Sequence, residues 1–328
     1  MATLNNRALL DLLVGSIVDE GWNCLIIDSR KPFRLRIYHE NSKGFEVAVY
    51  IWNCTHGGGS KRAADEYRIQ LTGVVPQKVP GAITVLLGWH EGYGVFAGFD
   101  IDWHVDQNSQ SPSIQIREET LKGAHRRSFA ISQRQNGELA VAFRPQFLAD
   151  YILSSRELHE QSIGSHDRSL LNDLASVSQG ELDGITGVER RVVITTIARK
   201  YRAADFRGRV LSAYQHQCAV CGVQLKLVDA AHIIPVASDS STDETTNGIA
   251  LCKLHHFAYD RNVISFSTDY TVEVSATEQA RLAAENLAGG FASFKRGLLT
   301  AIVLPADKRD YPSKAYIAES RKVRRWVP

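Results

Sequence analysis

The chain has no run of about eighteen apolar residues, the shortest stretch that reads as a membrane-spanning helix. No part of it is therefore expected to cross a bilayer. It also has no basic N-terminal segment leading into an apolar core and a small-residue cleavage site, the pattern of a secretory leader. A reducing cytoplasm is the expected setting. Net charge is nearly absent: 38 Lys and Arg stand against 36 Asp and Glu, for +2. The chain as a whole gives no electrostatic sign of a nucleic-acid partner, and any basic surface must be local. Cysteine is scarce, five in 328 residues, and without a leader disulfides are not expected. Internal repeats and low-complexity tracts are missing too. What remains is ordinary for a globular protein, 44% hydrophobic and 23% charged, with length enough for two domains.

The informative stretch runs from Tyr214 to Phe266. Cys218 and Cys221 form a C-x-x-C pair, and Cys252 and His255 a later C-x-x-H pair. Two thiolates on a tight turn, with a thiolate and an imidazole one helical turn apart, are the donor set that tetrahedral Zn²⁺ prefers. Ordinary small buried cysteines are the alternative, but two paired spacings in so cysteine-poor a chain favour structural zinc.

A second chemistry overlaps the first. His232 lies in a β-prone run from Val228 that Pro235 ends, Asn247 opens a second segment, and His256 falls on an expected helix, Leu251–Asp260. Strand, return and helix make a ββα unit with one His on the strand and one on the helix. A His near its ordinary pKa can take a proton from water at neutral pH. Another can hold a divalent metal that stabilises phosphate charge.

These residues resemble the HNH (ββα-metal) endonuclease family in its zinc-containing, restriction-enzyme form. The matching segments are Cys218/Cys221, Asp229–Pro235, Asn247–Cys252 and His255–Arg261. The resemblance implies His232 as general base, Asn247 as the middle Asn, His256 as ligand of a catalytic Mg²⁺ or other divalent cation, and His255 as the fourth zinc ligand. One position departs: where many members carry a second metal ligand just before the base, this chain has Ala231. Side chains alternate along a strand, so Asp229 shares that face and is a candidate substitute ligand; capping a turn or bonding backbone is its other reading. Asp260, four residues after His256, can orient that ring or simply be a solvated helix-end residue.

The first half reads as an amphipathic helix, Asn5–Glu20, followed by short β-rich segments to about Arg117, a mixed or mainly antiparallel sheet. In the loop Cys54–Arg62, glycines expose backbone N–H groups, and Lys61 and Arg62 are candidate phosphate contacts. Trp89–Tyr93 gathers aromatic and polar groups at a strand end, suited to stacking on an extruded or modified base or to the edge of an aromatic core. Ser, Gly and acidic residues mark an expected linker, and Glu189–His216 reads as helix carrying Arg199, Lys200, Arg202 and Arg207, a possible phosphate rail.

The expectation is an α+β protein: a mainly β DNA-recognition domain over 1–160, a linker over 161–187, and an HNH nuclease domain with structural zinc over 188–328. The function expected is a metal-dependent endonuclease of restriction type acting on double-stranded DNA at specific or modified sites, as a homodimer because one such site cuts one strand. A nicking, homing or repair nuclease and a non-catalytic zinc-stabilised DNA-binding protein are the alternatives.

Overall fold

The computed structural model describes residues 3–39, 44–57, 63–71, 73–105, 112–160, 163–185 and 187–328. The chain divides into two units, Met1–Tyr201 and Arg202–Pro328.

The first unit opens with α1 (Asn6–Asp19), which starts where the Asn5 side chain accepts the Ala8 N–H and buries Leu9, Leu10, Leu13 and Ile17. Ten strands follow: β1 (Asn23–Asp28), β2 (Phe33–Tyr38), β3 (Phe45–Asn53), β4 (Thr55–His56), β5 (Glu66–Gln70), β6 (Ala82–His90), β7 (Val95–Phe99), β8 (Ser113–Arg117), β9 (Phe129–Gln133) and β10 (Leu139–Phe143). Helix α2 (Glu118–Arg127) lies between β8 and β9. Seven strands form one sheet in the order β1-β2-β3-β6-β7-β10-β9, and β4-β5-β8 form a second. Only β3 and β6 pair in parallel.

The large sheet is covered on both faces. Val47, Val49, Val85, Leu87 and Trp89 join a core with α1, while Tyr50, Leu86 and Ala97 join another with Tyr67, Ile69 and Leu121. Strands covered on both faces are apolar throughout rather than alternating, and β7 and β10 are buried along their whole length. The hairpin β9–β10 lies beyond the last strand that the sequence suggested. Its segments are short and alanine-containing, a residue depleted in strands, and burial on both sides outweighs that weak local preference.

After α3 (Leu148–Leu153) and α4 (Ser155–His159), the stretch expected as a linker holds α5 (Ser165–Asn172) and α6 (Gln179–Asp183). Leu170, Leu171, Leu174, Val177, Leu182 and Ile185 are buried in the first unit's core. Polar residues dominate that composition, but they lie between apolar positions that face inward. The division between units instead falls within the long helix α7 (Val188–Ala213).

The second unit contains β11 (Val228–His232), β12 (Gly248–Cys252), α8 (Lys253–Asp260), β13 (Ile264–Phe266), β14 (Val272–Val274), α9 (Ala276–Ala284), α10 (Phe291–Arg296) and α11 (Lys314–Val323). Its core joins Phe206, Val210 and Tyr214 from α7 and its exit to Ile233, Leu251, Tyr259, Phe266 and Ile317. Among the described residues no helix is long and apolar enough to cross a membrane.

Gly98 in β7 tests the packing of the first unit. A Cβ there would meet the Tyr151 ring at 2.3 Å. That ring is fully buried and stacks on Phe143 at 4.5 Å, so it has nowhere to go. Gly98→Ala should destabilise the fold by about 1–3 kcal/mol, the usual range for overpacking. A lower urea midpoint at unchanged slope checks it.

Candidate active site and metal centre

The site is built on one short hairpin and the helix after it. Strands β11 and β12 pair antiparallel, with Val228 opposite Cys252 and His232 opposite Gly248. Helix α8 begins directly after Cys252, so strand end and helix start are one continuous piece of chain. His255 and His256 are neighbours on that helix and point about 100° apart. His255 is buried at 4% exposure, whereas the His256 side chain is 26% exposed. The two imidazoles thus serve two different places.

His255 faces the cysteines. Its Nδ1 lies 3.1 Å from Cys252 Sγ and 3.6 Å from Cys218 Sγ, and Cys221 Sγ lies 3.9 Å from Cys252 Sγ. All four ligand atoms fall within 4.8 Å of one another. A tetrahedral zinc site with bonds of about 2.0–2.3 Å has edges of about 3.3–3.8 Å, so the donor set and its spacing fit Zn²⁺. The electrostatics agree. Burial raises the Cys218 thiol, but hydrogen bonds from His255 and backbone groups outweigh it and bring it down to about 6. Burial pushes Cys221 up to about 12, with the Cys218 sulfur adding to the rise. Three packed sulfurs cannot all ionise without a cation among them, and a divalent metal removes that conflict. The turn is fastened to the hairpin by Ala219 N–H, which donates to Ala250 O at 2.8 Å.

On the other side of the hairpin, Asn247 is fully buried. Its Oδ1 accepts Ile234 N–H at 3.0 Å, and its Nδ2 donates to Thr242 O at 2.8 Å. These bonds tie the end of β11 to the loop before β12 and carry Asp243 to His232, whose Nε2 lies 3.0 Å from Asp243 Oδ1. The His232 ring stacks on Phe206 with centroids 3.8 Å apart. Gly248 permits this: a Cβ there would lie 2.2 Å from Val210 Cγ2 and 3.0 Å from the Phe206 ring, so any side chain would force α7 away from the hairpin.

His256 Nε2 lies 3.5 Å from Asp260 Oδ2, one turn along α8. Arg324, at the end of α11, reaches both halves of the unit. Its guanidinium is 3.3 Å from Asp260 Oδ1 and 3.4 Å from His232 O, and sits 4.2 Å over the Tyr259 ring. Asp243 and Arg324 are the residues that sequence reasoning did not single out for the site. Neither has a spacing signal, because each arrives by chain folding from a loop or a distant helix.

Other expected residues are placed differently. Asp229 does not stand beside His256 as a metal ligand: its two oxygens take Arg207 Nε at 2.8 Å and Lys253 Nζ at 2.7 Å. Burial raises its pKa, but those two cations outweigh it and hold the carboxyl below its ordinary value. The Cys218, Cys221, Cys252 and His255 cluster is the only metal-ligand group among the described residues. Lys200, expected to contact DNA, is instead drawn into the first unit between Glu20 and Asp150, because an amphipathic helix must bury one face and takes Lys200 with it. Arg207 is spent on Asp229. Arg199 and Arg202 are exposed. Lys61 and Arg62 lie outside the described residues.

Zinc should prove structural. Cys221→Ser is expected to lower bound zinc well below about one per chain, measured by elemental analysis. It should also lower the melting temperature, because metal affinity at such sites is folding energy.

Residues 218–267 match the family model described as HNH endonuclease, and residues 45–152 match the model described as Methylase-associated X1. No curated protein matches the chain. Among solved structures, a modification-dependent TagI restriction endonuclease is similar at 11% identity and TM-score 0.29, with 84% of this chain and 80% of that one covered. The matched segment contains all four metal-cluster residues, His232, Asn247 and His256. Residues 218–267 are therefore an HNH endonuclease domain, and the chain that carries it is a DNA endonuclease.

Proposed function

We propose that the protein is a restriction-type endonuclease that hydrolyses double-stranded DNA at specific or modified sites, with His232 as general base. The observation that supports this most is the His232–Asp243 pair at 3.0 Å, on a strand end anchored by buried Asn247. With Asp243 accepting from Nε2–H, the lone pair of the neutral ring sits on Nδ1, the nitrogen left to take a proton from attacking water. Asp243 fixes this tautomer and stabilises the imidazolium that forms. The side chain of His232 is 16% exposed, which admits a water while the stacked Phe206 limits the ring's rotation.

His256 and Asp260 offer a nitrogen and an oxygen donor one helical turn apart, a set that suits a divalent cation. Such a cation, when bound, supplies charge stabilisation at the phosphate and at the leaving oxygen. Arg324 holds the Asp260 carboxylate and the His232 carbonyl in one frame, which keeps the base and the metal-binding side chains at fixed separation. Zinc takes no part in the chemistry. One such centre cuts one strand, so the reading includes two copies acting together on a duplex.

Cleavage of plasmid DNA with Mg²⁺ or Mn²⁺, on unmodified and cytosine-modified substrates, tests the reading. Discrete fragments are expected from the wild type, and a failure to cut any substrate sinks it. His232→Ala should lose about 10²–10⁴-fold in rate, the usual contribution of a general base. Asp243→Asn, which keeps the shape but loses the charge, should lose roughly 10–100-fold. Both variants should retain zinc and DNA binding in a gel-shift assay. Double-strand cleavage should also rise more steeply than linearly with protein concentration.

A further inference from the structure

We propose that a cavity in the first unit, where β6 ends beside β4 and β5, is a receptor for a single nucleobase turned out of a DNA duplex. The cavity is about 270 Å³, just under the range of about 300–1,000 Å³ that accommodates drug-sized ligands. It has room for one heterocycle and not for a whole nucleotide. His56, Tyr67, Trp89, His90 and Glu91 line it.

The walls are aromatic and held in place by one another. Tyr67 meets His90 edge-on at 4.8 Å and His56 edge-on at 5.4 Å. Tyr93 stacks on the far side of the His90 ring at 4.6 Å. Flat, rigid aromatic surfaces of this kind are what a base stacks on once it has left the helix.

His90 shows that the cavity is more than a gap in the packing. It is 1% exposed, and its Nδ1 accepts the Tyr93 N–H at 3.0 Å. The neutral ring therefore carries its hydrogen on Nε2, and that buried atom has no hydrogen-bond partner. A donor left unmet in an aromatic setting is costly, and proteins rarely keep one without a use. Beside it, the Trp89 indole N–H donates to Glu91 Oε2 at 2.5 Å, which orients a carboxylate as acceptor. A donor and an acceptor side by side between aromatic walls complement a base edge that offers a ring nitrogen or carbonyl next to an exocyclic amine. Cytosine, its 5-substituted forms, and adenine present such an edge; thymine does not.

This inference rests on the DNA-endonuclease reading only for the source of the ligand, and its test does not use cleavage. The full-length chain with His232→Ala serves as a non-cutting background. It is titrated onto short duplexes with 2-aminopurine placed next to a central cytosine that is paired, mismatched with adenine, 5-methylated or 5-hydroxymethylated. Mismatch and modification change the cost of extrusion, and 2-aminopurine brightens when its stacking neighbour leaves. A saturable rise on at least one mismatched or modified duplex is expected. His90→Phe, which keeps the ring and removes the donor, and Glu91→Gln, at an exposed position, should each weaken binding to that duplex by roughly tenfold and leave the paired duplex unaffected. No rise on any duplex, or a rise that both substitutions leave intact, overturns the proposal. A rise with the wild type unable to cut any DNA would sink the nuclease reading alone; cutting without a rise would sink the pocket alone.

Discussion

Four side chains must converge within a few ångströms in the second unit, and its catalytic half depends on that convergence. Cys218 and Cys221 come from a turn, Cys252 from the end of β12, and His255 from the first turn of α8. Bringing three sulfurs and a buried imidazole together without a cation would strand charge or leave polar groups unmet. A divalent metal converts that liability into the staple that holds turn, strand and helix. Because α8 starts where β12 stops, fixing His255 also fixes His256 on an adjacent face of the same helix. The structural ligand thus determines where the reactive one points.

The opposite edge of the hairpin is organised by hydrogen bonds rather than by metal. Asn247 has no exposure and satisfies both ends of its amide with backbone of the loop and of the strand exit. That closure delivers Asp243 to His232. Close approach of α7 at Gly248 sets Phe206 against the imidazole face. Arg324 then bridges the His232 carbonyl and the Asp260 carboxylate. Each contact is modest by itself, but together they restrict a short ββα unit that could not hold a reacting geometry on its hairpin alone.

In the first unit the dominant constraint is a sheet covered on both faces. Central strands such as β7 and β10 are consequently apolar along their length, and polar groups gather where the strands end. Trp89, His90 and Glu91 occupy such an end, where the change from sheet to turn leaves donors and acceptors that no ladder can use.

The metal centre and the ββα unit were legible in the amino-acid sequence because their chemistry is local: C-x-x-C, C-x-x-H and the paired histidines set ligand spacing within a few residues. The short β-rich segments of the first unit were legible from periodicity for the same reason. Partners far apart in the chain were not legible. Asp243 looked like one acid in a polar loop, Arg324 like one base in a cationic tail, and Asp229 like a free carboxylate. The linker-like stretch before α7 hid leucines that pack inward, and Lys200 looked like surface charge until folding placed it between Glu20 and Asp150. Sequence alone determined which donors a metal would meet and which histidines could act. Tertiary structure decided which charges pair and which buried donor stays unmet, because those outcomes depend on distances between residues that the chain brings together only when it folds.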